Sequence, residues 1–306
     1  MLPLLSFQTL LKMNYIQTTD KNTGEAIQLY YEISGSGQPV VFLHGWPLSH
    51  EMWEYQINEL AEKGLKCIAY DRRGFGKSSK PWSGYDYDTL TDDLKALLDE
   101  LNLENVVLVG FSMGGGEVLR YMSRYGSTRI SKIVLISSVA PFLLKTTDNP
   151  DGVEKEVFEG ITKSIKKDRI DFLTTFGEQF FGVSFIKHPV SSSYLEYNKM
   201  LASLASPRAT LECAKSFSET DFRDDLKNVS VPTLIIHGDS DKTVPIEASS
   251  NRTAKTLSGH QYIVYEGAPH GLYYTDRDRL NQDLIQFIKG ENADIHSPDR
   301  SKSFSI

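Results

Sequence analysis

Two cysteines in 306 residues, Cys67 and Cys213, are too few for a disulfide framework and fit a reducing compartment. Cys67 sits in the apolar run Leu65 to Tyr70 and is expected to be a buried thiol. Basic residues are outnumbered 33 to 40, so a broad nucleic-acid surface is not expected from a net charge of −7. No internal repeat or low-complexity tract is visible. Metal-ligand spacing is absent: there is no H-E-x-x-H, no H-x-H and no cysteine pair. Asp71 to Gly76 has glycines and cations, yet neither G-x-x-x-x-G-K-[ST] nor a helix-opening G-x-G-x-x-G occurs there. That loop is expected to pair its charges internally, at the edge of a site. No segment reaches the roughly 18 consecutive apolar residues of a membrane span. The opening MLPLLSFQTLL is apolar but short, without a basic start or a small-residue cleavage site. Residues 1–12 are expected to be a flexible extension, with Met13 an alternative start, and residues 291–306 a polar flexible tail. The expectation is a cytoplasmic protein with no nucleic-acid or membrane partner and no metal.

What is present is an ordered alternation. Residues 27–33 read as a strand; Gly35-Ser36-Gly37 and Val40 to Leu43 then suggest a hairpin into a buried strand. Trp53, Ile57, Leu60 and Ala61 share a helix face that Gly64 can end. Strand 65–70 follows, then a helix carrying Leu90, Leu94, Leu97, Leu98 and Leu101 with Asp88 as its cap. Val106 to Val109 has the continuous apolar character of a strand covered on both faces. A helix from about Gly115 to Tyr125 and a strand at Ile133 to Ile136 complete the first half. This order predicts an α/β fold with a mostly parallel sheet between helices. Residues 141–228 break the pattern with charged, phenylalanine-rich helical stretches. Strands return at Thr233 to Ile236 and Tyr262 to Tyr265, before a last helix through Leu280, Leu284, Phe287 and Ile288. The predicted organisation is a core of 13–140 and 229–290 with a helical insertion at 141–228, after the fifth or sixth strand.

Chemistry gathers after the strands. Gly110-Phe111-Ser112-Met113-Gly114 is G-x-S-x-G between a strand and a helix, the setting of a nucleophile elbow. A serine hydroxyl needs a base, and histidine titrates near working pH. His270 lies in Gly267-Ala268-Pro269-His270-Gly271 after the last strand, at the edge where open α/β sheets place their catalytic groups. The orienting acid should come from His237-Gly238-Asp239-Ser240-Asp241. Asp241 is preferred, because Asp239 beside Gly238 suits hydrogen bonding within its own turn. Serine, aspartate and histidine then occur in a recognised chain order. Two main-chain N–H groups should meet the oxyanion, from Met113 and from Trp46 in His44-Gly45-Trp46-Pro47. His44 is expected to pin that loop.

Together these segments strongly resemble the cofactor-free haloperoxidase, arylesterase and perhydrolase branch of the α/β-hydrolases. The likeness spans roughly residues 14–289. It is carried by His44-Gly45-Trp46-Pro47, by Tyr70 to Ser79 (YDRRGFGKSS) and by Gly110 to Glu117 (GFSMGGGE). Glu219 to Arg223 (ETDFR), His237 to Pro245 (HGDSDKTVP) and Ala268 to Gly271 (APHG) add to it. The triple glycine and ETDFR point to this branch. The resemblance implies a helical cap, Asp241 as the acid, and an apolar acyl pocket at Trp46, Phe111, Met113, Leu143 and Val244. It implies hydrolysis of small aryl and alkyl esters through an acyl-enzyme, with no metal, haem or other cofactor. Hydrogen peroxide can then replace water, forming peracid from a carboxylic acid, and Pro47 resembles members prone to that reaction. The resemblance also implies a homo-oligomer. Amide or lactam hydrolysis on the same triad, and ligand reception on a hydrolase scaffold, are the alternative readings.

Overall fold

The computed structural model describes residues 14–290; the expectations for 1–12 and 291–306 lie outside them. Eight strands form one sheet in the order β1-β2-β4-β3-β5-β6-β7-β8. They are β1 (Tyr15–Thr19), β2 (Ala26–Ser34), β3 (Gln38–Leu43), β4 (Leu65–Tyr70), β5 (Val106–Phe111), β6 (Ile130–Ile136), β7 (Thr233–Gly238) and β8 (His260–Tyr265). β1 and β2 run antiparallel to their neighbours, and the remaining pairings are parallel. β2 and β3 do not form the expected hairpin, because β4 lies between them. The reason is steric and local. Gly35 and Gly37 both have positive φ, and a Cβ at either would stand 2.3 Å from a carbonyl of Leu65 or Gly64. The turn thus rides over the start of β4 instead of folding β3 back onto β2.

Helices cover both faces. α1 (Glu54–Glu62), α2 (Tyr87–Glu100) and α3 (Met113–Tyr125) alternate with the early strands, and α11 (Arg277–Lys289) closes the described chain. Side chains of the central strands alternate between two cores: Val41, Leu43, Leu108 and Leu135 on one side, Val40, Phe42, Val109 and Val134 on the other. That two-sided burial is why β5 reads as an uninterrupted apolar run. α2 is capped by Asp86, whose carboxylate accepts the Thr89 N–H at 2.9 Å. Asp88, the expected cap, instead pairs with Arg120 at 2.5 Å and Arg124 at 3.0 Å on α3. Cys67 and Cys213 are buried free thiols, each pushed up to about 12 by burial.

Between β6 and β7 lie α4 (Lys155–Lys167), α5 (Arg169–Phe180), α6 (Ser192–Ser203), α7 (Pro207–Glu219) and the short α8 (Arg223–Leu226). α4 packs on α5 and α7, and α5 on α6. Two further short helices were not anticipated, α9 (Ser250–Thr256) and α10 (Leu272–Thr275). Among the described residues, no helix is long and apolar enough to cross a membrane.

Candidate active site

The turn from β5 into α3 is strained at one residue. Ser112 has φ 54° and ψ −116°, a conformation that L-residues avoid and that persists only where surroundings enforce it. The glycines around it explain how. A Cβ at Gly110 would lie 2.5 Å from the Gly114 carbonyl, and one at Gly114 would lie 2.4 Å from that of Leu43. Any larger residue at either position would push α3 away from the strands.

Loops after β7 and β8 bring two partners to this serine. His270 Nε2 lies 3.0 Å from Ser112 Oγ, and His270 Nδ1 lies 2.6 Å from Asp241 Oδ2. A carboxylate facing Nδ1 requires the proton there, which leaves Nε2 free to accept from the hydroxyl. All three side chains are nearly buried. The imidazole is held between Phe111 and Phe180, with ring centroids 4.9 and 4.8 Å away. The Gly271 N–H donates to the Phe180 carbonyl at 2.8 Å, tying the histidine loop to the end of α5.

Asp241 is saturated with donors. Its Oδ1 accepts the N–H groups of Thr243 and Val244, both at 2.8 Å. Its Oδ2 also lies 3.1 Å from Nε2 of His237. Burial alone would raise this carboxyl; attraction to His270 and the hydrogen bonds from both histidines outweigh it and hold the group well below the usual range. Asp239 does not serve only its own turn as expected. Its carboxylate accepts the Gly267 N–H at 2.7 Å, linking the acid loop to the histidine loop.

His237 was missed in the sequence. Its Nε2 faces both Asp241 and the Val244 carbonyl (2.9 Å), and its Nδ1 lies 2.7 Å from Ser250 Oγ. The available signal was its place four residues before Asp241, at the end of the same strand.

The loop after β3 reaches the other side of Ser112: a Cβ on Gly45 would stand 3.3 Å from the Ser112 Cβ. His44 anchors that loop. Its Nε2 accepts the Arg72 N–H at 3.1 Å, and its Nδ1 donates to the Gly45 carbonyl at 2.9 Å. Burial first, then the Arg72 charge, keeps its pKa well below the ordinary value. Arg72 donates to the His44 carbonyl at 2.9 Å and to Glu117 of α3 at 2.8 Å. Arg73 pairs with Asp20 at 2.5 Å and Asp93 at 2.6 Å. The arginines of this loop therefore pair with other elements, not internally as expected: both are buried and need acids, and the loop's own Asp71 is engaged by His50 and the Lys77 N–H.

Above the serine is a cavity of about 250 Å³. Trp46, Leu143 and Val244 line it together with Ser112 and His270. The Phe111 and Met113 side chains, expected in the pocket, are not part of the lining. Phe111 is fully buried between Trp53, Phe180 and His270, and Met113 is packed in the core beneath α3. The Trp46 indole donates to the Thr210 carbonyl of α7 at 3.0 Å and meets the Phe176 and Phe217 rings at 5.2 and 5.4 Å. A wider groove of about 590 Å³ runs over the outer faces of α4 and α7; it shares Phe158 with the cavity and contains none of Ser112, Asp241 and His270.

Among the described residues, His50, Glu51 and Asp71 bring three metal-ligand atoms within 4.8 Å of one another. None of them lines the cavity. Asp71 already accepts N–H groups from His50 and Lys77, both at 2.8 Å.

The chain matches the family profile for the alpha/beta hydrolase fold over residues 38–276. It is 38% identical to a non-haem chloroperoxidase of Kitasatospora aureofaciens, across 87% of this chain and 98% of that one. It is 36% identical to a bifunctional esterase/perhydrolase of Acinetobacter calcoaceticus, across 90% of this chain and all of that one. The crystal structure of a bromoperoxidase from Bacillus anthracis superposes with a TM-score of 0.85 at 48% identity, covering 90% of this chain and 100% of its own. With its serine-centred turn at the carboxyl edge of a parallel sheet and these relatives, the chain belongs to the α/β-hydrolase fold family, in the branch of non-haem haloperoxidases and esterases.

Proposed function

We propose that the protein is a serine hydrolase that cleaves small carboxylic esters through an acyl-enzyme. The observation that carries this reading is the unbroken hydrogen-bonded run Asp241–His270–Ser112 opening on an apolar cavity. His270 Nε2 takes the hydroxyl proton as Ser112 Oγ attacks the ester carbonyl. Negative charge then develops on the carbonyl oxygen, where the Trp46 and Met113 N–H groups receive it; each such donor contributes about 3–4 kcal/mol. His270 returns its proton to the departing alkoxide. Asp241 holds the ring in the Nδ1–H tautomer and stabilises the imidazolium while it lasts. Water, activated by His270, discharges the acyl group. Hydrogen peroxide can take the place of water and release a peracid, a side reaction supported by the relative named as both esterase and perhydrolase. The reaction asks no metal or organic cofactor for any step.

In this reading residues 13–140 and 229–290 form the catalytic core, Met13 lying outside the described residues, and 141–228 form a cap over the cavity. The protein acts in the cytoplasm as a homo-oligomer, a point for gel filtration.

The deciding experiment is hydrolysis of p-nitrophenyl acetate with and without hydrogen peroxide, with peracid measured in parallel. Ser112→Ala is expected to lower ester turnover by about 10⁴-fold or more while leaving the melting temperature near that of the parent. Full turnover in that variant would remove Ser112 from its role.

A further inference from the structure

The cavity wall is apolar on almost every side. Val139, Val157, Ile161 and Phe217 are typical of it, and apart from Ser112 and His270 only two lining residues are polar, Lys242 and Thr243. They are consecutive, and Val244 of the cavity wall follows them directly. Thr243 Oγ1 is buried and has no hydrogen-bond partner, although the Thr243 N–H is engaged by Asp241 at 2.8 Å. Buried hydroxyls are nearly always paired, so an unpaired one on a residue of the cavity wall is available to a ligand acceptor once its side chain turns toward the cavity. Lys242 is exposed at the rim and is the one permanently charged group of the lining. Among the described residues its ammonium has no ion-pair partner. Its backbone is not loose: the Lys242 carbonyl accepts from Gln179 of α5 at 3.1 Å. A free ammonium and an unpaired hydroxyl on consecutive residues of the lining favour an anionic oxygen group.

We propose that Lys242 and Thr243 form a carboxylate subsite on the acyl side of the cavity, so that the preferred substrates are half-esters of short dicarboxylic acids. The small volume of about 250 Å³ favours a short chain between the two carboxyl groups. The Lys242 ammonium supplies the charge, and the Thr243 hydroxyl donates to one carboxylate oxygen. For turnover, the inference rests on the serine-hydrolase reading above; for binding, it does not.

The test compares monomethyl glutarate with methyl valerate, which differ by a carboxylate in place of a methyl group, followed by base titration. Wild-type protein is expected to favour the half-ester in kcat/KM. That preference should fall about tenfold in Lys242→Gln and about threefold in Thr243→Val. It should also shrink at high salt, as an exposed ammonium is screened. Lys242→Arg should retain most of it. A preference that is absent in wild type, or unmoved in both variants, overturns the subsite while leaving ester hydrolysis intact. A second arm needs no turnover: calorimetric binding of the same two esters to Ser112→Ala protein, with and without Lys242→Gln. Tighter binding of the half-ester, lost with Lys242→Gln, supports the subsite even if Ser112 proves not to be the nucleophile. Equal binding of the two esters refutes it whatever the chemistry.

Discussion

Two parallel strands end on the same dipeptide, His44-Gly45 after β3 and His237-Gly238 closing β7, and both imidazoles are completely buried. They are used in opposite ways. His44 turns Nε2 to a donor, the Arg72 N–H, so that nitrogen must be bare. His237 turns Nε2 to two acceptors, the Asp241 carboxylate and the Val244 carbonyl, so that nitrogen must carry the proton. Behind His44 stands a cation, Arg72, and beside His237 stands an anion, Asp241. A buried imidazole thus meets a charge of either sign through which ring nitrogen it turns toward it and whether that nitrogen carries a proton. The difference also divides the labour around Ser112. In the proposed reaction, the β3 side supplies the Trp46 N–H where negative charge would form. The β7 side supplies the negative charge that would face an imidazolium.

Removing the cation on the β3 side should do the most damage. Arg72→Met leaves the Glu117 carboxylate buried, with the Tyr70 hydroxyl as its one remaining partner among the described residues, and frees the His44 carbonyl. Loss of one partner from a buried pair costs about 3–5 kcal/mol. Urea unfolding should show a drop of that size, and Arg72→Met with Glu117→Leu should recover part of it. A loss below about 1 kcal/mol in the single variant would mean that water reaches Glu117 and the pair is not a closed unit.

The sequence carried the triad more legibly than its support. Ser112, Asp241 and His270 each follow a strand whose apolar run is visible by itself, and strand ends are where such groups must emerge. Placement of β4 between β2 and β3 was not visible, since pairing depends on contacts between residues far apart in the chain and on how Gly35 and Gly37 clear Gly64 and Leu65. The cap of α2 went to Asp88 because both aspartates lie near the helix start; only the arginines of α3 tell them apart. Phe111 and Met113 flank the serine in sequence, but the sharp turn at Ser112 sends both side chains into the core, and adjacency along the chain says nothing of that. Thr243 and Lys242 look like ordinary loop residues until the apolar character of the surrounding wall is known.

On the β7 side the break is in rate. His237→Phe removes one of four N–H groups from Asp241 and strands Ser250 Oγ, at a site where a hydrogen bond to a charge is worth about 1.5–3 kcal/mol. The expected loss in kcat is about 10- to 100-fold, with little change in KM. Rescue separates positioning from mere damage. His237→Gln restores a donor and should bring back most of the rate. A loss that His237→Gln fails to recover would make His237 a packing residue only.

The smallest effect sharpens the contrast through pH. Burial and the Arg72 charge hold His44 neutral, well below its ordinary value, whereas the unfolded chain should protonate it near pH ~6.5. Below that pH the unfolded state gains a proton that the folded state refuses, so this histidine makes stability fall as the solution is acidified. The slope it can contribute is at most about 1.4 kcal/mol per pH unit. His50 has the opposite sign. Burial lowers its pKa, but the hydrogen bond it donates to Asp71 and the charges of Asp71, Glu51 and Glu32 outweigh that and raise it, so its contribution is present at low pH and lost as pH rises. Since His50 is unchanged in a His44→Asn protein, its term cancels when the two proteins are compared. Urea unfolding of both from about pH 7 to about pH 5.5 should therefore show the wild type losing stability more steeply than the variant. Parallel slopes would mean that folded His44 accepts a proton beside Arg72, and the tautomer contrast between the two histidines would not hold.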